Sequence, residues 1–591
     1  MTSKAIGINA VRLVGDPGPF SATLTSSIVE DGVELVELIL RADSPARPSK
    51  LELLFDVTGV DIAGSWHPSI GRNRALHPNW SKPFSSSATS GAPVVTLFSG
   101  DNANRVTVAL SDALRPVRMR ANIVEENACF ECGAVLFEHE VNEYDSYRVT
   151  LRIDRRAVPF YKSLNDVRLW WETQDGYTPA PVPVAARAPM YSTWYSFHQQ
   201  VTPAPIEEQC RLAKEIGCDA VIVDDGWQCG DNNRGYAYCG DWEVYEPKIP
   251  DMAAHVKRVH DLGMKYILWY SVPFIGRHTK AWARFEDRLL RPYGSDAMWA
   301  VVDPRYPEVR EYLIGLYEKA VREWDLDGFK LDFVDSFRAN PEPALYPEKT
   351  DYKSVPEAVD RLLTDVLARL SALKPDICIE FRQSYIGPMM RKYGNMFRAG
   401  DCPVDAVQNR MSTVDVRLLA GATATHADMV MWHNDEPVES AALQLIGALF
   451  SVPQVSVLID KLPADHREML AFWLKFWREH RELLLGAQIE PLNPVLLYTQ
   501  VSVRNSTRGI VVAYGPNFAT VDSDMPTDII LVNGTRSAGV YLEGLTNGVS
   551  YSVKLIDCMG KPAGTQVVIG SSDASKINIP KSGLAEIVRS A

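Results

Sequence analysis

The stretch DGFKLDFVDS, from Asp327 to Ser336, decides how the rest of this 591-residue chain is read. Gly328 follows a helical pattern, and Phe329, Leu331, Phe333 and Val334 have the aromatic and branched character of strand residues. Alternate side chains of a strand share a face, so Lys330 and Asp332 point one way and Phe329, Leu331 and Phe333 the other. Burying a lysine and an aspartate is costly unless they are paired or wet. The charged face must therefore meet a partner or a ligand, while the aromatic face packs beneath helices.

Working outward, the segment before this strand, YPEVREYLIGLYEKAVREW, starts with Pro307 in its first turn and carries Val309, Leu313, Leu316 and Ala320 on one helical face. The same helix-then-strand unit recurs in PIEEQCRLAKEIGC before DAVIVDDGW and in DMAAHVKRVHDLG before MKYILWY. Further candidate strands are MYSTWYSF, DICIEFR, GNMFRAGD, ADMVMWH and QVSVLID. About eight βα alternations with no glycine-rich phosphate loop predict an α/β fold, a (β/α)8 TIM barrel over residues 190–487. Residues 1–176 alternate short branched runs with Gly, Pro, Asn and Asp, which predicts an N-terminal antiparallel β-sandwich. The proline-rich 177–189 reads as a linker, and 488–591 returns to β pattern as a small C-terminal β-sandwich.

A formal net charge of −13, without a basic stripe, argues against nucleic acid or an anionic membrane as partner. A small neutral molecule fits better. No apolar run is long enough to span a bilayer, and the nine cysteines lack the dense spacing of a disulfide framework, so reduced thiols and a cytoplasmic home are expected. Cys129 and Cys132 have no second pair for zinc and read as two packed thiols. The sequence leaves monomer and homo-oligomer open.

In such a barrel the site lies at the C-terminal strand ends. There the sequence places Trp194 and Tyr195, then Asp224, Asp225 and Trp227, Trp269 and Tyr270, Lys330 and Asp332, Glu380 and Arg382, Arg398 and Asp401, and Asp428, Trp432 and His433. Carboxylates and basic groups bind hydroxyls by directional hydrogen bonds, and indole faces stack on a pyranose, so the mixture suits a sugar. Two carboxyls can divide glycoside cleavage, one ionised and one protonated. Lys330 beside Asp332 favours the ionised form there. Asp401, next to Ala399, Gly400 and Cys402, has fewer adjacent charges and is expected to hold the proton. Each has a plainer reading: Asp335 as a helix cap, Asp325 and Asp327 as turn residues, Lys330 and Asp332 as a structural ion pair, and the tryptophans as core. Asp428 and His433 alone are too few for a metal site, and none is expected.

These residues resemble glycoside hydrolase family 36, the α-galactosidase family of clan D. DDGWQ at 224–228 matches its second-strand motif, GMKYILW at 263–269 its third strand, and DPRYPEVREYL followed by KLDF its approach to the nucleophile. The resemblance implies that Asp332 is the nucleophile and Asp401 the acid/base of a retaining double displacement, with no cofactor. It implies that Asp224, Asp225 and Lys330 hold sugar hydroxyls and that Trp194 lines the pocket; Trp227, Trp269, Glu380, Arg382, Arg398 and His433 are the remaining candidate substrate contacts. The fifth-strand stretch CIEFRQSY departs from the glycine-rich pattern of many bacterial members, and FRAGDCPVD and DMVMWHNDEP look closer to raffinose synthases. The expected activity is therefore an α-galactosidase, with an α-glycosyl transferase and a non-catalytic carbohydrate-binding protein as alternatives.

Overall fold

The computed structural model describes residues 6–8, 11–290, 293–294, 296–338, 349–382 and 386–590. Its centre is an eight-stranded parallel sheet. The strands are β1 (Met190–Ser192), β2 (Ala220–Val223), β3 (Lys265–Ser271), β4 (Gly328–Asp332), β5 (Cys378–Arg382), β6 (Met396–Arg398), β7 (Ala424–His426) and β8 (Gln454–Val455). They pair in sequence order, β8 returns to β1 through Met190 and Gln454, and single bridges from His426 to Val452 and from Val430 to Val455 nearly close the barrel. The expected fold class is borne out.

Helices follow the strands: α1 (Pro203–Glu215), α2 (Met252–Asp261), α3 (Pro307–Trp324), α4 (Val355–Leu373), α5 (Pro388–Tyr393), α6 (Ala406–Ala420), α7 (Val438–Gly447) and α8 (Ala464–Gly486). Proline opens the first turn of α1, α3, α4 and α5, where its missing N–H costs nothing. Side chains of Asp251, Ser354 and Asp405 cap α2, α4 and α6.

Period-two alternation layers the barrel interior. Met190, Ala220, Ile222, Ile267, Cys378, Met396 and Ala424 fill the lower layer together with Ala186. The stretch read as a linker thus also plugs the barrel: Ala186 is fully buried and its carbonyl lies 2.8 Å from Nε2 of His426. The next inward positions are polar, among them Lys330, Glu380, Arg398, His426 and Gln454, while Phe329 and Leu331 pack outward under the helices as expected.

Two expectations are corrected. ADMVMWH is not the seventh strand; the ladder uses the shorter Ala424–His426, and 427–433 runs on past the strand end. Phe333 does not share the outward face of Phe329, because its left-handed backbone (φ 64) ends β4 and turns the ring into the mouth, where the Arg382 guanidinium lies 4.9 Å from its centre.

Before the barrel, two six-stranded sheets pack face to face around Leu38, Leu53, Val108 and Leu151. After it, a seven-stranded and a three-stranded sheet enclose a second apolar core. One buried carboxylate joins all three parts: Asp415 of α6 accepts from Trp66 Nε1 (2.8 Å), Arg74 Nη2 (2.8 Å) and the Tyr498 hydroxyl (2.6 Å).

Candidate active site

Asp332, the last residue of β4, is 8% exposed, and donors from Arg382, Phe333 and Trp269 hold its carboxylate. Arg382 Nε reaches Oδ1 at 2.6 Å, the Phe333 amide reaches the same oxygen at 2.8 Å, and Trp269 Nε1 donates to Oδ2 at 3.2 Å. The register of β3, β4 and β5 dictates this meeting, since Trp269 pairs with Lys330 and Ser271 with Asp332. Burial would raise the Asp332 carboxyl, but the charges of Arg382 and Lys330 outweigh it and hold the group below the ordinary aspartate value. It is a buried anion.

Lys330 turns to the neighbouring strand end, where its ammonium donates to Asp224 Oδ2 at 2.5 Å; both side chains are almost fully buried. Asp225 faces elsewhere, accepting from Gln199 Nε2 (2.6 Å) and Gln228 Nε2 (2.7 Å), side chains the sequence reading did not single out. Burial, with Asp224 adding repulsion, pushes the Asp225 carboxyl up to about 6. Lys248 ties this corner together by donating to the carbonyls of Gln199 (2.7 Å) and Gly226 (2.8 Å).

Arg398, at the end of β6, is the second hub. It donates to Asp428 Oδ1 (2.5 Å) and Asp401 Oδ1 (2.9 Å), and its Nε lies 3.6 Å from Glu380. Asp428 also accepts from the Tyr195 hydroxyl (2.9 Å) and the Cys402 amide (2.6 Å), so it pins the chain directly after Asp401. The Asp401 side chain is 47% exposed and stands at the lip. The expectation that it keeps its proton for want of nearby charge is corrected. Its partial burial would raise it, but Arg398, with Lys330 and Arg382 behind it, draws it down to about 2. The same three cations, Arg382, Lys330 and Arg398, act on Asp332 and Asp401 alike.

Five carboxyls, Asp224, Asp332, Glu380, Asp401 and Asp428, thus face three cations, and holding a proton on one of them is favoured. Burial pushes Glu380 and Asp428 upward, against the pull of Arg398. These two are the natural places for that proton.

Trp194 is half-buried at the mouth, its ring 4.8 Å from that of His198. Glu380 and Arg398 lie beneath the surface at 1% side-chain exposure each. Two candidates are not brought to the mouth. Trp227 is fully buried, because Gly226 (φ 113) turns the chain and sends the ring among Trp242, Tyr270 and Trp324; it acts on the site only by donating Nε1 to the Trp269 carbonyl at 3.0 Å. His433 has a 76% exposed side chain, 3.6 Å from Asp435. Its strand-end position came from the misplaced seventh strand. Of the quoted fifth-strand stretch, Gln383, Ser384 and Tyr385 lie outside the described residues. No group of three or more His, Cys, Asp or Glu among the described residues could hold a metal ion.

The melibiase family model matches residues 185–486, just over half of the chain and the whole span that carries these strand ends. The chain belongs to the melibiase family. Among curated relatives of this melibiase-family chain, α-galactosidase Mel36A of Lactobacillus acidophilus is 24% identical over 200 residues, 32% of this chain and 26% of the relative. α-Galactosidase AgaA of Geobacillus stearothermophilus is 24% identical over 163 residues, 27% of this chain and 22% of the relative. The matched stretches therefore span about a quarter of the relatives' length. Among solved structures, the α-galactosidase of Lactobacillus brevis superposes with a TM-score of 0.66 at 15% identity, covering 98% of this chain and 81% of the other. A variant of AgaA in complex with 1-deoxygalactonojirimycin, described as a GH36 α-galactosidase, gives 0.63 at 15% identity, covering 98% and 83%. The fold is shared along almost the whole chain, and the family resemblance stated from the motifs is borne out.

Proposed function

We propose that the chain is a retaining α-galactosidase that removes terminal α-galactosyl groups from small soluble glycosides by double displacement. The observation that carries this reading is the asymmetry of two carboxyls under the same three cations: Asp332 a deep anion held by Arg382 and Trp269, Asp401 half-exposed at the lip. In the first step Asp332 Oδ attacks the anomeric carbon while Asp401 delivers a proton to the departing oxygen. Substrate entry strips water from the Asp401 carboxyl, which drives it upward from about 2 toward the protonated form that step needs. Once Asp332 is esterified its negative charge is gone, Asp401 falls again, and it takes a proton from the incoming water, which releases the sugar with its α configuration retained. Asp224, Asp225 and Lys330 line the route to Asp332 as hydroxyl-binding groups. The galactose assignment leans on the relatives' names, and the nine cysteines, all free, fit a cytoplasmic setting. No helix among the described residues is long and apolar enough to cross a membrane.

The test is turnover of a panel of p-nitrophenyl α- and β-glycosides, with the first-formed anomer read by NMR. Turnover of the α-galactoside with α-galactose released first is expected. Activity confined to another α-glycoside sinks the sugar, β-galactose as first product sinks the retaining mechanism, and turnover only with an added sugar acceptor replaces hydrolysis by transfer.

A further inference from the structure

Beside the nucleophile stands a group of rings of which only Phe333 belongs to a site motif. Tyr236, from the segment after β2, lies 5.1 Å from Phe274, 5.8 Å from Trp299 and 5.2 Å from Phe333, centre to centre. Phe274 and Trp299 lie diagonally across a two-stranded antiparallel ladder (Phe274–Gly276 with Trp299–Val301, Phe274 paired with Val301 and Gly276 with Trp299), their rings 4.2 Å apart, and Phe274 stacks on Phe333 at 4.8 Å. Backbone contacts tie this ladder to the Tyr236 segment. The Gly276 amide donates to the Cys239 carbonyl at 2.7 Å and the His278 amide to the Ala237 carbonyl at 2.9 Å, and a Cβ on Gly276 would sit 2.1 Å from the backbone of Ala237.

Tyr236, Trp299 and Phe333 are each half-buried, unlike Trp227 and Tyr270 one layer out, and so keep part of their surface accessible. Phe333 directly follows Asp332 and carries the Arg382 guanidinium on its ring, which fixes the wall against the nucleophile. The Tyr236 hydroxyl has no hydrogen-bond partner among the described residues. A tyrosine anchored on three rings with an idle hydroxyl has one polar atom to offer a ligand.

We propose that Tyr236 is a substrate-binding residue: its ring, with Trp299 and Phe333, forms one wall of the sugar pocket, and its hydroxyl bonds to a hydroxyl of the bound sugar between Asp225 and Asp332. The assignment rests on the reading of this mouth as a sugar site. Burial and the negative charges of Asp332 and Asp225 keep the phenol firmly protonated, so it serves as a neutral donor across the working pH range. A neutral donor between two carboxylate acceptors complements a sugar, whose hydroxyls both donate and accept.

The test compares the parent protein with Tyr236→Phe, which keeps the ring and removes one oxygen. kcat/KM is measured on p-nitrophenyl α-galactoside and on its 2-, 3-, 4- and 6-deoxy analogues, and calorimetry follows binding of galactose, glucose and mannose. A hydroxyl that loses its partner in a closed site costs about tenfold or more. The expected result is such a loss on the parent sugar and on all but one deoxy analogue, with parent and variant equal on the analogue lacking the bonded hydroxyl. Equal kcat/KM and equal binding throughout overturn the proposal, as does an even loss across every analogue. If another α-glycoside is the substrate, the galactose reading fails while the same comparison on that sugar still decides Tyr236. If the parent turns over nothing but binds a monosaccharide, calorimetry decides it; no turnover and no binding overturn both.

Discussion

Replacing Lys330 by methionine removes the cation nearest Asp224, and the consequence divides into two measurable parts. The ammonium and the carboxylate meet at 2.5 Å with 6% and 3% side-chain exposure, so neither charge is much screened by water. Removing one partner of such a buried pair costs about 3–5 kcal/mol, because the other charge stays buried alone, whereas removing both leaves little to compensate. Lys330→Met is therefore expected to lose about 3–5 kcal/mol of unfolding free energy, and the double variant Lys330→Met/Asp224→Asn to recover at least about half of it. Activity follows a different rule, since Lys330 also holds Asp332 ionised. Lys330 is also read as a donor to a sugar hydroxyl, and a hydrogen bond to a charged group is worth about 1.5–3 kcal/mol, so kcat/KM falls about 10- to 100-fold in the single variant and does not return in the double. Urea denaturation followed by tryptophan fluorescence, beside kinetics on the best glycoside of the panel, reads both. A single variant within about 0.5 kcal/mol of the parent, or a double variant that loses the sum of the two single losses, would refute the reasoning.

Asp415→Ala, at the junction of the two β domains and the barrel, leaves Arg74, Trp66 and Tyr498 without their common acceptor and should lower thermal stability by about 3–5 kcal/mol; an unchanged melting temperature would show that the three parts are held together by packing alone. Asp225, raised from its ordinary 3.8 to about 6, sets a pH signature. The folded chain keeps a proton that the unfolded chain gives up, so this group's contribution, on the order of 3 kcal/mol, is fully present below about pH 4 and is lost as pH rises to about 6. Affinity for a sugar that needs the ionised carboxylate should rise through the same window. The stability difference between the parent and Asp225→Asn, followed from pH 4 to 7, should carry that slope; a flat difference contradicts it.

Much of this arrangement was written in local pattern. The alternation across Gly328–Asp332 separated the interior from the helix layer, and the pairs Asp224–Asp225 and Lys330–Asp332 announced themselves because charges inside strand-like runs need a reason. Asp224 and Asp225 do point to different partners, Lys330 for one and two glutamines for the other. What escaped the sequence was whatever depends on direction after a strand ends. Trp227 follows a glycine that reverses the chain, so a tryptophan two residues from an aspartate of the mouth ends in the helix layer. The immediate neighbours of Asp401 carry no charge, but an arginine three residues earlier, at the end of β6, reaches it. The seventh strand was misplaced because Met429–Trp432 is more apolar than Ala424–His426, and in a three-residue ladder tertiary pairing outweighs strand propensity. Tyr236 lies in a loop with no periodicity at all, and only the density of aromatics in GYAYCGDW hinted at a wall.

The central claim is that Asp332 attacks the sugar, and trapping tests it most directly. Incubation with a fluorinated α-galactosyl fluoride that forms the glycosyl ester but hydrolyses it slowly, followed by tryptic digestion and tandem mass spectrometry, should put the added mass on the peptide Leu331–Arg338, with fragmentation assigning it to Asp332 rather than Asp335. A label on Asp401 or any other residue, or steady turnover of an α-galactoside with no trapped ester, would contradict the account.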